Sequence, residues 1–127
     1  MKALILDMEE DILDLVGYIL TKTGFEVVAL SEEADLVPFA SDFHPALVII
    51  GHFWEAETQY ELCRNLRALP YPMGKSPLIA CLTTDPSRCG MKGFYGAGAD
   101  VCWVMPIKPA EMIETLQDLL PINTEKA

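Results

Sequence analysis

A chain of 127 residues, 51% of them hydrophobic, can close one buried core, so a single domain over 1–127 is expected, with a core at about 2–120 and a C-terminal tail at 121–127. Its 19 acidic side chains against 9 basic ones leave a net charge of −10, which repels phosphate backbones and anionic membrane surfaces; neither nucleic acid nor membrane is an expected partner. No apolar run reaches the roughly 18 residues of a membrane span, and Asp7, Glu9, Glu10 and Asp11 interrupt the N-terminus too early for a secretion signal, so a cytoplasmic location is expected.

Short aliphatic runs alternate with segments of helical period. Residues 3–7 (ALILD) predict the first strand, and 10–22 the first helix, with Ile12, Leu15, Val16, Ile19 and Leu20 three or four apart and Gly24 closing it. FEVVAL at 25–30 predicts the second strand and 32–41 the second helix. ALVII at 46–50 and LIACLT at 78–83 are nearly unbroken apolar runs, as in parallel strands buried on both faces. Between them lies a helix at 58–69 carrying Leu62, Cys63, Leu66 and Leu69, and then the breaker LPYPMGKS at 69–76. The helical segment at 86–97, within PSRCGMKGFYGAGAD, is the weakest: Gly90, Gly93, Gly96 and Gly98 each cost about 1 kcal/mol against alanine in a helix interior, so a short, irregular or mobile element is expected there. VCWV at 101–104 and a helix at 109–120, opened by Pro109, complete five βα units. Cys63, Cys81, Cys89 and Cys102 show no C-x-x-C spacing and lie mostly in apolar segments, so they are expected to be reduced, mostly buried, small hydrophobes.

In such folds ligands sit beyond the carboxyl ends of the strands, which directs attention to Asp7–Glu10, Gly51–Trp54, Thr83–Thr84 and Met105–Pro106. At these places the chain resembles a response-regulator receiver domain of two-component signalling. LILDMEEDILDLVGYILTKTGFEVV resembles the opening strand, acidic cluster and first helix; HPALVII the approach to the phosphoacceptor; YELCRNLRA the third helix; PLIACLTT the fourth strand and its hydroxyl; GAGADVCWVMPIKPAEM the last turn, strand and helix start. The resemblance covers nearly the whole chain. It implies a CheY-like, flavodoxin-like (βα)5 fold, a doubly wound parallel sheet of strand order 2-1-3-4-5, and a cis bond at Met105–Pro106.

The family's reaction places a phosphoryl group on an aspartate, using paired acids for Mg²⁺, a lysine for the phosphoryl oxygens and a Ser or Thr. By position, Gly51 stands at the acceptor, Met8 at the second paired acid and Met105 at the lysine before Pro106. Asp7 and Thr83 remain; Pro77 stands one residue early, which leaves Leu82 as an alternative to Thr83 at the hydroxyl position. Glycine offers nothing to phosphorylate, and a thioether is no ligand for hard Mg²⁺. The resemblance therefore implies a degenerate phosphorylation pocket of Asp7, Met8, Gly51, Thr83, Met105 and Pro106, in a non-enzymatic pseudo-receiver without cofactor that acts as a protein-interaction module independently of phosphorylation.

The expected contacts are a protein partner, through a loop of His52, Phe53 and Trp54, and a second copy through the fourth helix, fifth strand and fifth helix. His52 reads as a partly exposed loop histidine rather than a substitute acceptor. No metal site is expected; the residual alternative is a divalent cation between Asp7, Glu9 and the Phe53 carbonyl. Two other functions are weaker. A flavin or other small-molecule domain of this fold would want hydroxyls and glycine after the first strand, where DMEEDIL presents carboxylates. A conventional regulator phosphorylated elsewhere lacks a complete acceptor site.

Overall fold

The computed structural model describes residues 1–52 and 55–122. Five parallel strands, β1 (Lys2–Leu6), β2 (Glu26–Leu30), β3 (Leu47–Ile50), β4 (Leu78–Thr83) and β5 (Val101–Val104), form one sheet in the order β2-β1-β3-β4-β5. The helices between them are α1 (Glu10–Lys22), α2 (Glu33–Phe43), α3 (Ala56–Arg67), α4 (Phe94–Ala97) and α5 (Pro109–Leu119). This is the flavodoxin-like architecture and strand order expected from the sequence.

Alternation along the strands builds two cores, because successive side chains point to opposite faces. Ala3, Ile5, Leu47, Ile49, Ala80, Leu82, Val101 and Trp103 meet Val16, Ile19 and Leu20 of α1 and Met112 and Leu116 of α5. Leu4, Leu6, Val48, Ile50, Ile79 and Cys81 meet Leu36 and Ala40 of α2, Leu62, Cys63 and Leu66 of α3, and Phe94 and Ala97 of α4. All four residues of β3 are buried, each aliphatic side chain contributing on the order of 1.5–3 kcal/mol. The central strands thus fix the sheet and present their ends to the loops.

The glycine-rich segment is short, as expected: a single 3-10 turn at Pro86–Arg88 and the four-residue α4. Its glycines are needed for close approach. A Cβ on Gly93 would overlap the Arg88 carbonyl, and one on Gly96 the Met91 carbonyl. Met105–Pro106 is cis, as the resemblance implies.

The cysteines depart from expectation. Cys63 and Cys81 are buried free thiols, but Cys89 and Cys102 form a disulfide with a Cα–Cα separation of 5.7 Å. Parallel pairing carries Cys102 to the edge of β4 and the folded-back glycine loop returns Cys89 above it, a proximity that 13 residues of sequence separation hide.

Candidate functional site

The β1·β3 register ends at Leu6↔Ile50 and the β4·β5 register at Thr83↔Val104. Asp7, Gly51, Thr83 and Met105 therefore line one edge of the sheet, beside the point where the chain order reverses between β1 and β3. Met8 does not join them, being more than half exposed. Met105 is half-buried and packs against the core beneath α1 and α5.

Asp7 is completely buried. Its Oδ1 accepts a hydrogen bond from the Glu9 backbone N–H at 2.8 Å, while Oδ2 has no hydrogen-bond partner. The nearest cationic candidate is His52, with Nδ1 at 3.5 Å from Asp7 Oδ2 and Nε2 at 3.0 Å from Glu9 Oε1. Burial raises the Asp7 carboxyl above its ordinary range; the Glu9 N–H and the His52 charge oppose that rise. His52 is a loop residue, 23% exposed, that bridges two acids.

Gly51 is required here for space. Its N–H donates to the Leu6 carbonyl at 2.6 Å, and a Cβ would lie 2.6 Å from that same oxygen and overlap the Asp7 carboxylate. The carboxylate of Asp7 thus fills the volume that a side chain at 51 would use. The glycine is not only the loss of an acceptor; it permits Asp7 to lean across the end of β3.

Gln59 completes this corner and was not foreseen from the sequence. It is buried on α3, and its Nε2 donates to the Gly51 carbonyl at 2.5 Å and the Leu82 carbonyl at 3.1 Å, joining the ends of β3 and β4. A signal existed: positions 59, 62, 63 and 66 share one helix face, and Gln59 is its one polar member.

Thr83, not Leu82, brings a hydroxyl to this edge. Leu82 lies inside the α1–α5 core, whereas Thr83 Oγ1 accepts from the Asp85 N–H at 3.0 Å and donates to the Asp85 carbonyl at 3.2 Å, closing the turn after β4. Phe53 and Trp54, expected beside His52 in an interaction loop, lie outside the described residues, as do residues 123–127 of the expected tail.

The donors do not suit Mg²⁺. Asp7 Oδ1 is engaged by backbone, Glu9 turns to His52, Met8 faces outward, and among the described residues no three His, Cys, Asp or Glu side chains converge on a point that could hold a metal. The arrangement contains neither a nucleophile at 51 nor a lysine at 105.

No protein-family model and no curated protein matches the chain. Solved structures do. The chemotaxis response regulator CheY4 of Vibrio cholerae is 24% identical, with a TM-score of 0.79 over 94% of this chain and 98% of that one. A CheY-like response regulator receiver domain from Methylobacillus flagellatus is 20% identical, with a TM-score of 0.81 over 94% and 98%. The receiver domain of a sensor histidine kinase from Pseudomonas aeruginosa, which carries a magnesium ion in its active-site cleft, is 19% identical, with a TM-score of 0.77 over 92% and 94%. Among the described residues no helix is long and apolar enough to cross a membrane.

Proposed function

We propose that this chain is a receiver domain of two-component signalling that no longer accepts a phosphoryl group and works, without being an enzyme, as a protein-interaction module. One observation carries this reading: the Asp7 carboxylate occupies the volume of a side chain at 51, so the acceptor position is both empty of a nucleophile and filled by a neighbour. The receiver likeness of the fold over nearly the full chain supports the signalling role. Met91, Tyr95 and Val104 are exposed on the α4–β5 side, which supports a partner or second copy docking there, in the cytoplasm.

The test is mass gain on incubation with acetyl phosphate and Mg²⁺. The parent is expected to gain nothing, and Gly51→Asp alone to remain inert, because its carboxylate must displace Asp7 with no cation to separate the two. Adding Met8→Asp and Met105→Lys restores the second acid and the lysine that the receiver resemblance calls for, and labelling is expected only in that triple variant, in which the new carboxylate at position 8 must turn in from the surface. Phosphorylation of the parent would refute the reading.

A further inference from the structure

All four cysteines lie on the side of the sheet that α2, α3 and α4 cover. Cys63 and Cys81 are buried there with their sulfurs 3.4 Å apart, and Cys102 packs against the same cluster. Cys81 and Cys102 are direct partners in the parallel β4·β5 register, so their side chains leave the same face. Neighbouring strands run about 4.8 Å apart, inside the roughly 4.4–6.8 Å between Cα atoms that a disulfide spans. Cys102 is bonded to Cys89, in the loop above. The four residues form one row from helix to loop, Cys63, Cys81, Cys102, Cys89, in which each stands beside the next.

We propose that this row is a thiol–disulfide relay, in which the bond at Cys89–Cys102 passes inward to Cys63–Cys81, releasing the glycine loop from β5 and tying α3 to β4. Cys81 sulfur, as thiolate, attacks Cys102 Sγ; the Cys81–Cys102 bond forms, the Cys89–Cys102 bond breaks, and the electron pair leaves on Cys89. The half-buried Cys89 receives the proton that Cys81 gave up, through Cys63 and solvent. Cys63 sulfur then attacks Cys81 Sγ, and Cys102 leaves with the pair and takes the proton lost by Cys63. Two thiols have become a disulfide and one disulfide two thiols, so no external oxidant or reductant enters.

The local chemistry suits these roles. The hydrogen bond with Cys81 pulls the Cys63 thiol down, assisted by Arg67 and Arg64 against burial, so the pair loses its first proton at Cys63; uphill proton transfer across the 3.4 Å contact then generates the minor Cys81 thiolate that attacks. Burial pushes the Cys81 thiol up, which keeps it protonated at rest and makes its anion a strong nucleophile once formed. The two ends of the row differ in consequence. Bonded at Cys89–Cys102, the loop bearing Met91 and leading into α4 is anchored to β5; bonded at Cys63–Cys81, it is free and the core is stapled instead.

The experiment holds the whole oxidised protein at mildly alkaline pH, quenches with acid at intervals, alkylates in acidic denaturant and maps linked peptides by mass spectrometry. The parent is expected to show Cys81–Cys102 and then Cys63–Cys81 peptides growing as Cys89–Cys102 declines. Cys63→Ala should stop at Cys81–Cys102, and Cys81→Ala should retain only Cys89–Cys102; circular dichroism verifies the fold of each, and the parent's own linkage pattern decides the matter if either fails to fold. Recovery of Cys63 and Cys81 wholly as alkylated thiols in the parent, with Cys89–Cys102 intact, would overturn the relay. So would exchange at the parental rate in folded Cys81→Ala, which would mean scrambling through an unfolded state.

Discussion

At the amino ends of β4 and β5, Arg67 places every arm of its guanidinium: Nε on the Gly98 carbonyl at 2.7 Å, Nη1 on Ser76 and on the Pro77 carbonyl at 3.1 Å, and Nη2 on Asp100. Asp100 in turn accepts the Ile79 N–H at 2.9 Å. The carboxyl ends of β1 and β3 are built differently. Among the described residues, the buried side-chain atoms without a hydrogen bond are Asp7 Oδ2, His52 Nδ1, Gln59 Oε1 and Trp103 Nε1, and the first three belong to residues gathered round Gly51. Natural interiors satisfy nearly all their polar groups, so three exceptions round one glycine set this end of the sheet apart from the other. One end of the sheet is a fastening, the other a site whose groups are held without being satisfied.

Substitution separates the two ends. Gly51→Ala should have the largest effect, on the order of 3 kcal/mol of lost stability, since its Cβ meets the Leu6 backbone oxygen and the Asp7 carboxylate and neither can yield cheaply. Urea denaturation measures it; a loss under about 1 kcal/mol would show that Asp7 swings aside easily and the crowding is unimportant. At the other end, Arg67→Met should lose roughly 2 kcal/mol, because it keeps the aliphatic stem but strips hydrogen bonds from Asp100 and three loop groups. Hydrogen exchange should quicken at residues 98–100 and not at residue 51. Equal quickening at both ends would break the comparison.

The fold was legible because its signals are local and redundant: Leu47–Ile50 admits no exposed face, and Val16, Ile19 and Leu20 repeat at helical spacing. The cis Met105–Pro106 bond was legible through the receiver resemblance, which also directed attention to Gly51 and Thr83 at the strand ends. What escaped depends on distance across strands. Nothing in the sequence says that Asp7 leans into the space of residue 51, because that requires knowing that Leu6 and Ile50 are register partners. Cys89 and Cys102 were misread for the same reason, their meeting being fixed by a loop whose glycines fold it back on Arg88 and Met91. Gln59 was visible as a polar residue on an apolar stripe, but its partners are backbone carbonyls that sequence patterns do not reveal.

The smallest expected effect tests the unsatisfied end most directly, and its sign is opposite to the others. Asp7→Asn keeps an oxygen for the Glu9 N–H and offers an amide N–H towards His52 Nδ1, while removing a buried charge. Because the folded-state carboxyl titrates above its unfolded value, the native chain is favoured while Asp7 is protonated, below about the ordinary 3.8, and loses that contribution as pH rises through the higher folded value. At neutral pH the native protein therefore carries a penalty that Asp7→Asn lacks, and the variant should be more stable by about 1 kcal/mol. The gain should shrink as the pH is lowered towards 3.8, where native Asp7 also becomes neutral. Chemical denaturation of both proteins across that range measures the difference. A variant less stable than its parent at neutral pH would mean that the Asp7–His52 ion pair outweighs burial, and that this end of the sheet is fastened after all.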